Sequence, residues 1–472
     1  MAISFRNIPN GILAPFFGID FKSFGNNYPA TSFPLLIGQK LTTGSVADKS
    51  VTLVGDKQED ALFGRGSIAS RMVKAFKKNN PTATPYVFAL ADPSGNKASS
   101  TVTVTTSTAT VDETLIIEIG GRKIYVTVLA GQSNTTIKNN IVTAINNDLD
   151  NACDAVSATS STATIRHKHI GAIGNGLRVR VIGTPTLVFT VADLSSGTGD
   201  RVLTGNESYF PENILFSFMG SPYSDSTSLD FYKSLMSDVS GRWAYLQDAY
   251  AHVISIKQDT FSNLSSFTLK NDEHQTVIVL PTAISSTPIS EIVASVTAQA
   301  HLHLTTPPEL SRALNGTVLE GVKIDSSFTF SDRNALYALG FSPLTVNRDG
   351  SAILDRVITT YLTDDNGVAD DTYKDINIMA QLQYGARYYR NRMTTSFAKS
   401  YINNETLYLM RSEISNILRE LESLDVFEEV EGTIKNLIVE RNALSKTRID
   451  VKFTPTHVSP LLQTATQIET KI

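Results

Sequence analysis

The sequence holds one cysteine, Cys153, in 472 residues. A single thiol excludes intrachain disulfides and cysteine-cluster metal sites; it suits a small buried side chain and synthesis in a reducing cytoplasm. Charge is also scarce. Asp, Glu, Lys and Arg make up 18% of the chain, below the usual share for soluble domains, which fits a surface largely covered by neighbours. The formal net charge is −5 and no dense Lys/Arg run occurs, so no direct nucleic-acid partner is expected. Apolar runs are short: none reaches the ~18 residues that a membrane-spanning helix needs. The start, Met1-Ala2-Ile3-Ser4-Phe5-Arg6, has no charged leader followed by an apolar core, and no secretory signal is expected there.

Motifs that carry chemistry are missing too. Gly64-Arg65-Gly66-Ser67, ahead of an expected helix, resembles a phosphate cradle. It lacks the Lys-Ser/Thr ending of a P-loop and the spacing of a dinucleotide fingerprint, and reads as a turn and helix cap. Gly171, Gly174 and Gly176 fit a hairpin or bulge. His301 and His303, two apart on an expected helix, point about 200° apart and cannot share a metal. His167 and His169 would share one strand face, but with no third ligand they read as surface histidines. Asp364, Asp365, Asp370 and Asp371 flank Asn366-Gly367 without the closing Glu of a calcium loop, and read as a solvated turn. No serine sits in a G-x-S-x-G elbow. No catalytic residue, cofactor site, metal ligand or cofactor is therefore expected. The empty search favours a binding or structural role over an enzyme.

What is present is a patterned, multidomain chain. Buried strands are expected at 35–38, 51–54 and 86–90, with a helix from Ser67, its N-cap, through Phe76. Residues 94–110 are dense in Ser and Thr. Further strands at 115–119, 123–129, 163–166, 179–182 and 187–191 enclose one helix at 134–149, and Gly120-Gly121 signals a hairpin. From Asn213 strands and helices alternate: strands at 214–219, 253–256 and 277–280, helices at 226–239 and 288–304. That order suggests a parallel sheet. Helices at 375–397 and 405–421 follow, the first with a stripe of Met379, Leu382, Ala386, Tyr389, Met393 and Phe397, the second with Asn404 as N-cap. Strands are expected at 433–439 and 447–453. The fold class is thus α/β plus α+β: an α/β core (23–91 and 206–340), an inserted β-rich α+β domain (92–205), a C-terminal domain (341–453), and extended arms at 1–22 and 454–472. Both ends place strand-like residues outside the compact domains, and an unpaired strand seeks a sheet edge, in its own subunit or a neighbour's.

Several segments resemble the tail sheath proteins of Mu-like contractile phages. They are Ile3-Ser4-Phe5-Arg6-Asn7-Ile8-Pro9 with Pro15 and Asp20-Phe21; Leu62-Phe63-Gly64-Arg65-Gly66-Ser67 with Met72 and Ala75-Phe76; Arg166-His167-Lys168 with Gly171, Gly174-Asn175 and Arg178-Val179-Arg180; Gly367-Val368-Ala369-Asp370 with Tyr373 and Asp375-Ile376-Asn377; and Arg448-Ile449-Asp450-Val451. The matches run in order along nearly the whole chain, loosening after Phe453.

This resemblance implies a virion protein, made in the host cytoplasm, that polymerises with itself as stacked six-membered rings around a tail tube. Baseplate and tail terminator proteins are the other implied partners, and contraction drives the tube through the host envelope. It implies that the insert faces outward, the 341–453 domain faces the tube, and the arms link adjacent subunits. Mapped here, Ile3, Phe5 and Ile8 would dock one arm and Ile449, Val451 and Phe453 the other, with joints near 22–27 and 442–446. Arg387, Arg390 and Arg392, flanking the apolar stripe, are the candidate tube contacts. Two other classes remain open at this stage: a surface-displayed adhesin-like protein, and an α/β enzyme with an unrecognised site in 206–340.

Overall fold

The computed structural model describes residues 32–199, 201–245, 247–282 and 287–468. The expected arm residues Ile3, Phe5 and Ile8, and the joint at 22–27, lie outside the described residues. The first part of the core contains β1 (Phe33–Gln39), β2 (Ser50–Leu53), α1 (Glu59–Phe63), α2 (Ile68–Asn79) and β3 (Tyr86–Leu90). Ser67 caps α2 as expected: its hydroxyl accepts the Ser70 N–H at 3.0 Å, satisfying a donor that the helix itself cannot.

The chain then leaves the core for β4 (Lys97–Val104), β5 (Glu113–Ile119), β6 (Arg122–Val128), α3 (Asn134–Asn147), β7 (Cys153–Ser157), β8 (Thr162–Ile170), β9 (Val179–Ile182) and β10 (Phe189–Val191). These form two antiparallel sheets, ordered β10-β4-β8-β7 and β6-β5-β9. Gly120 and Gly121 join β5 to β6 with φ of 55° and 79°, the doubly left-handed turn that suits a two-residue hairpin. Ile137, Ile141 and Ile145 of α3 are fully buried at a four-residue period. One hydrophobic cluster takes its members only from residues 98–194, so this segment has a core of its own.

The chain returns as β11 (Phe216–Ser221), α4 (Ser226–Met236), β12 (His252–Gln258), α5 (Phe261–Ser266), β13 (Gln275–Leu280), α6 (Ile289–His303), β14 (Val318–Lys323), α7 (Phe330–Ala338), β15 (Phe341–Val346) and β16 (Ser351–Leu354). A nine-stranded sheet runs β14-β16-β15-β13-β12-β11-β1-β3-β2. Its six central strands are parallel, β2 and β16 run antiparallel to them, and β14 pairs antiparallel with β16 at the edge. Both faces are covered, which is why the central strands read as unbroken apolar runs. Leu36, Val87, Phe218, Ile254 and Ile278 pack on α2 and α6. Leu35, Phe88, Met219, Val253 and Val277 pack on α4, α5 and α7. β15 and β16, placed with the C-terminal domain by the sequence reading, belong to this sheet.

The last part contains α8 (Ile376–Phe397), α9 (Asn404–Ser423), β17 (Phe427–Glu428), α10 (Val430–Lys435), β18 (Ile438–Arg441), β19 (Ile449–Lys452) and β20 (Thr456–His457). Two expectations are corrected here. The strand expected at 433–439 is a short helix and then β18, because Val430 and Thr433 turn inward from one helical face. The cap of α9 is Asn403, whose side chain accepts the Thr406 N–H at 2.7 Å.

Candidate assembly site

In an open parallel sheet, ligands bind beyond the carboxyl ends of the strands. Here that region, where α2 begins beside β1 and β3, is filled by the end of β8. The buried Gln39 side chain donates to Asp92 (2.9 Å) and to the Ile170 carbonyl (3.1 Å), and accepts from the Tyr223 hydroxyl (3.0 Å). His169 lies on Asp92 through Nδ1 (2.6 Å), while its Nε2 accepts the Ile68 N–H (3.0 Å) at the start of α2. That arrangement puts the proton on Nδ1. Burial pushes the His169 imidazole down and holds His167 at about 3. Although burial acts to raise it, the Asp92 carboxyl is held low by hydrogen bonds from His169, Ile170 and Gln39. The two histidines are therefore buried, not surface residues: they share one face of β8, and the groups that satisfy His169 lie far away in sequence. The Gly64–Ser67 turn is where the insert docks. A Cβ at Gly66 would collide with the carbonyl oxygens of Leu149 and Asn151. Asp150 joins Arg65 (2.9 Å) and Lys74 (2.7 Å), and these hydrogen bonds, Arg65 first, hold its carboxyl well below the usual range.

The C-terminal strand expected to seek a neighbour has a partner in its own chain. β19 pairs antiparallel with β18 in the register Val439↔Val451 and Arg441↔Ile449. Val439, Val451 and Phe453 pack against the main core, and the Phe453 ring lies 5.8 Å from that of Tyr389. Residues 442–446, expected as a flexible joint, are the hairpin turn. Asn442 Oδ1 accepts the N–H groups of Leu444 and Ser445, and Asn442 Nδ2 donates to Asp450. Among the described residues this hairpin is a complete two-stranded sheet, so the outer edges of both strands carry no further strand. Beyond it, β20 pairs with β17, and Gln381 donates to the Val458 carbonyl at 2.8 Å. Residues 459–468 then run on without regular structure, with Leu461 and Ile468 80% and 82% exposed.

The three arginines of α8 do not form a free basic strip. Arg387 turns inward and donates to the carbonyls of Phe216 (3.1 Å) and Tyr250 (2.7 Å), joining α8 to the core sheet. Arg390 pairs with Asp248. Arg392 pairs with Glu413 (2.7 Å) and Glu420 (3.1 Å) of α9. Burial alone pulls the Arg387 guanidinium down to about 10. The exposed aromatics of this region are Tyr401, between α8 and α9, and Tyr408 on α9, 74% and 75% exposed.

Residues 368–471, which hold α8, α9 and the hairpin, match the phage tail sheath C-terminal domain. Over its whole length the chain is 27% identical to the Mu-like prophage FluMu tail sheath protein of Haemophilus influenzae, covering 96% of this chain and 96% of that protein. It superimposes on a chain of the cryo-EM structure of the anti-feeding prophage baseplate with a TM-score of 0.52, at 10% identity, over 98% of this chain and 100% of that one. The sheath tail protein of Desulfitobacterium hafniense gives a TM-score of 0.49 at 14% identity, over 94% of this chain and 97% of that one. In its C-terminal domain, and more loosely along its whole length, the chain is similar to tail sheath proteins of phages. The likeness that spans the full length is to the Mu-like prophage sheath protein.

Proposed function

We infer that this chain is a structural, non-enzymatic subunit that stacks as six-membered rings around a tail tube, and that contraction of the stack drives the tube through the host envelope. Its partners in this reading are further copies of itself, the tube protein, and the baseplate and terminator proteins, in the tail of a virion assembled in the host cytoplasm. The insert at 92–205 faces outward, and the domain carrying α8 and α9 faces the tube. One observation carries the reading: among the described residues, the β18–β19 hairpin, inside the segment that matches the sheath C-terminal domain, has both edges open.

An open edge accepts a strand, and each main-chain hydrogen bond so formed contributes about 1 kcal/mol net. In this reading the hairpin is the acceptor. The strands added to it are the N-terminal arm, through Ile3, Phe5 and Ile8, and the C-terminal residues beyond Phe453 of other subunits. Ile449, Val451 and Phe453 then hold the acceptor to its own domain. With Arg387 half-buried and its guanidinium turned inward onto the Phe216 and Tyr250 carbonyls, the tube face falls to the far end of α8 and to Tyr401 and Tyr408.

Cysteine pairs test this. Lys452→Cys combined with Ile3→Cys, Phe5→Cys or Ile8→Cys should give a ladder of disulfide-linked multimers under mild oxidation. The native Cys153 is buried, with its thiol pushed up to about 12, and does not compete. Monomers only, from all three pairs at assembling concentrations, would refute the strand linkage.

A further inference from the structure

At the amino ends of β12 and β13, away from the hairpin and the insert, three side chains converge that neither assembly nor the core employs. Asp238 follows α4, and Glu273 and His274 lead into β13. His274 Nε2 lies 3.4 Å from Asp238 Oδ1 and 3.7 Å from Glu273 Oε1. His274 is 5% exposed, and among the described residues neither ring nitrogen has a hydrogen-bond partner. An orphaned buried imidazole is unusual, since buried polar groups are almost always satisfied. The ring is held by the Trp243 ring, which stacks on it at 4.4 Å, and its backbone by the main-chain N–H of His274, which donates to Asp272 at 2.9 Å. Among the described residues, no Lys or Arg forms an ion pair with Asp238 or Glu273. The neighbourhood is electronegative: after burial, the charges of Glu273, Asp370 and Asp238 are what push the Tyr373 hydroxyl up.

We propose that Asp238, Glu273 and His274 bind a divalent transition-metal cation of the zinc type. One imidazole nitrogen and two carboxylate oxygens suit such an ion, with water completing the shell. Metal–ligand distances of about 2.1 Å place the ligands of a tetrahedral ion about 3.4 Å apart, close to the observed 3.4 and 3.7 Å. All three ligand atoms lie within 4.8 Å of one another, and the candidate site is empty. A bound ion would tie the segment after α4 to the start of β13.

The chain has one tryptophan, Trp243, and its stacking on His274 makes it the reporter. Ni²⁺ or Co²⁺ added to the EDTA-stripped full chain should quench its fluorescence saturably at one ion per chain. Zn²⁺ should compete and raise the melting temperature. His274→Phe, which keeps a ring under Trp243, should abolish the quenching. Asp238→Asn and Glu273→Gln should each weaken binding about tenfold or more. These two carboxylates are partly exposed, so their variants decide the matter even if His274→Phe folds poorly. Absence of quenching at millimolar Ni²⁺, or quenching that survives in the Asp238→Asn/Glu273→Gln double variant, would overturn the proposal and leave a plain imidazole–carboxylate contact.

Discussion

Charge reversal at Arg387 separates a tube contact from an internal tie. The guanidinium makes two hydrogen bonds to main-chain carbonyls, and a charged donor contributes about 1.5–3 kcal/mol to each, hence about 3–6 kcal/mol together. Burial works against it: lowering the guanidinium from 12.5 to about 10 corresponds to about 3 kcal/mol disfavouring the charged form. Arg387→Met keeps most of the packed length and loses both terms, so it should destabilise by about 1–2 kcal/mol. Arg387→Glu places a carboxylate against two carbonyl oxygens with no donor to meet it, and an uncompensated buried charge costs about 3–5 kcal/mol. Urea unfolding of the full chain, followed by Trp243 fluorescence, measures both. Co-sedimentation with tail tubes then shows whether any loss of tube coating merely follows the loss of stability. An Arg387→Glu chain as stable as the parent but unable to coat tubes would refute the burial argument and return Arg387 to the tube face.

Other outcomes follow from the same structure. His167 and His252 are held at about 3 by burial. Between pH 6.5 and 4 the unfolded chain therefore binds more protons than the folded one, and stability falls on acidification by about 1.4 kcal/mol per pH unit for each group. Equal urea midpoints at pH 7 and pH 5 would contradict this. Gly66→Ala, at φ 80° and against the Leu149 and Asn151 carbonyls, should cost about 2 kcal/mol or more; a neutral effect on the melting temperature would mean the insert does not press on this turn. Asp150→Asn weakens a partly exposed hub to Arg65 and Lys74, so a loss of about 1 kcal/mol is expected at low salt and should shrink in ~0.5 M salt. A loss independent of salt would point to packing instead.

The strands that could be read from the sequence are those buried on both faces, such as the apolar runs at 86–90 and 277–280, and the helices with a strong cap or stripe, such as α2 and α8. Edge strands were harder. In β14 only Leu319 and Val322 are buried, three residues apart, so there is no alternation to recognise. The two central buried histidines misled because Asp92 and Ile68, which satisfy His169, come from another part of the chain. Arg387 could be placed beside the apolar stripe, but its depth depends on carbonyls of Phe216 and Tyr250. The strand at 447–453 is legible in the sequence but its pairing with the strand before it is not, because β18 is four residues long and starts just after a short helix that blurs its boundary. Asp238 and His274 are far apart in sequence, so no spacing rule unites them.

Electron microscopy tests the central claim most directly. The comparison is between the purified full chain and a version lacking 1–21 and 454–472, which keeps the β18–β19 hairpin and all of the core sheet. Hollow striated tubes from the full chain, and only folded single subunits from the truncated one, are predicted. A full chain that stays a compact monomer at high concentration, or a truncated chain that still builds tubes, would contradict the account.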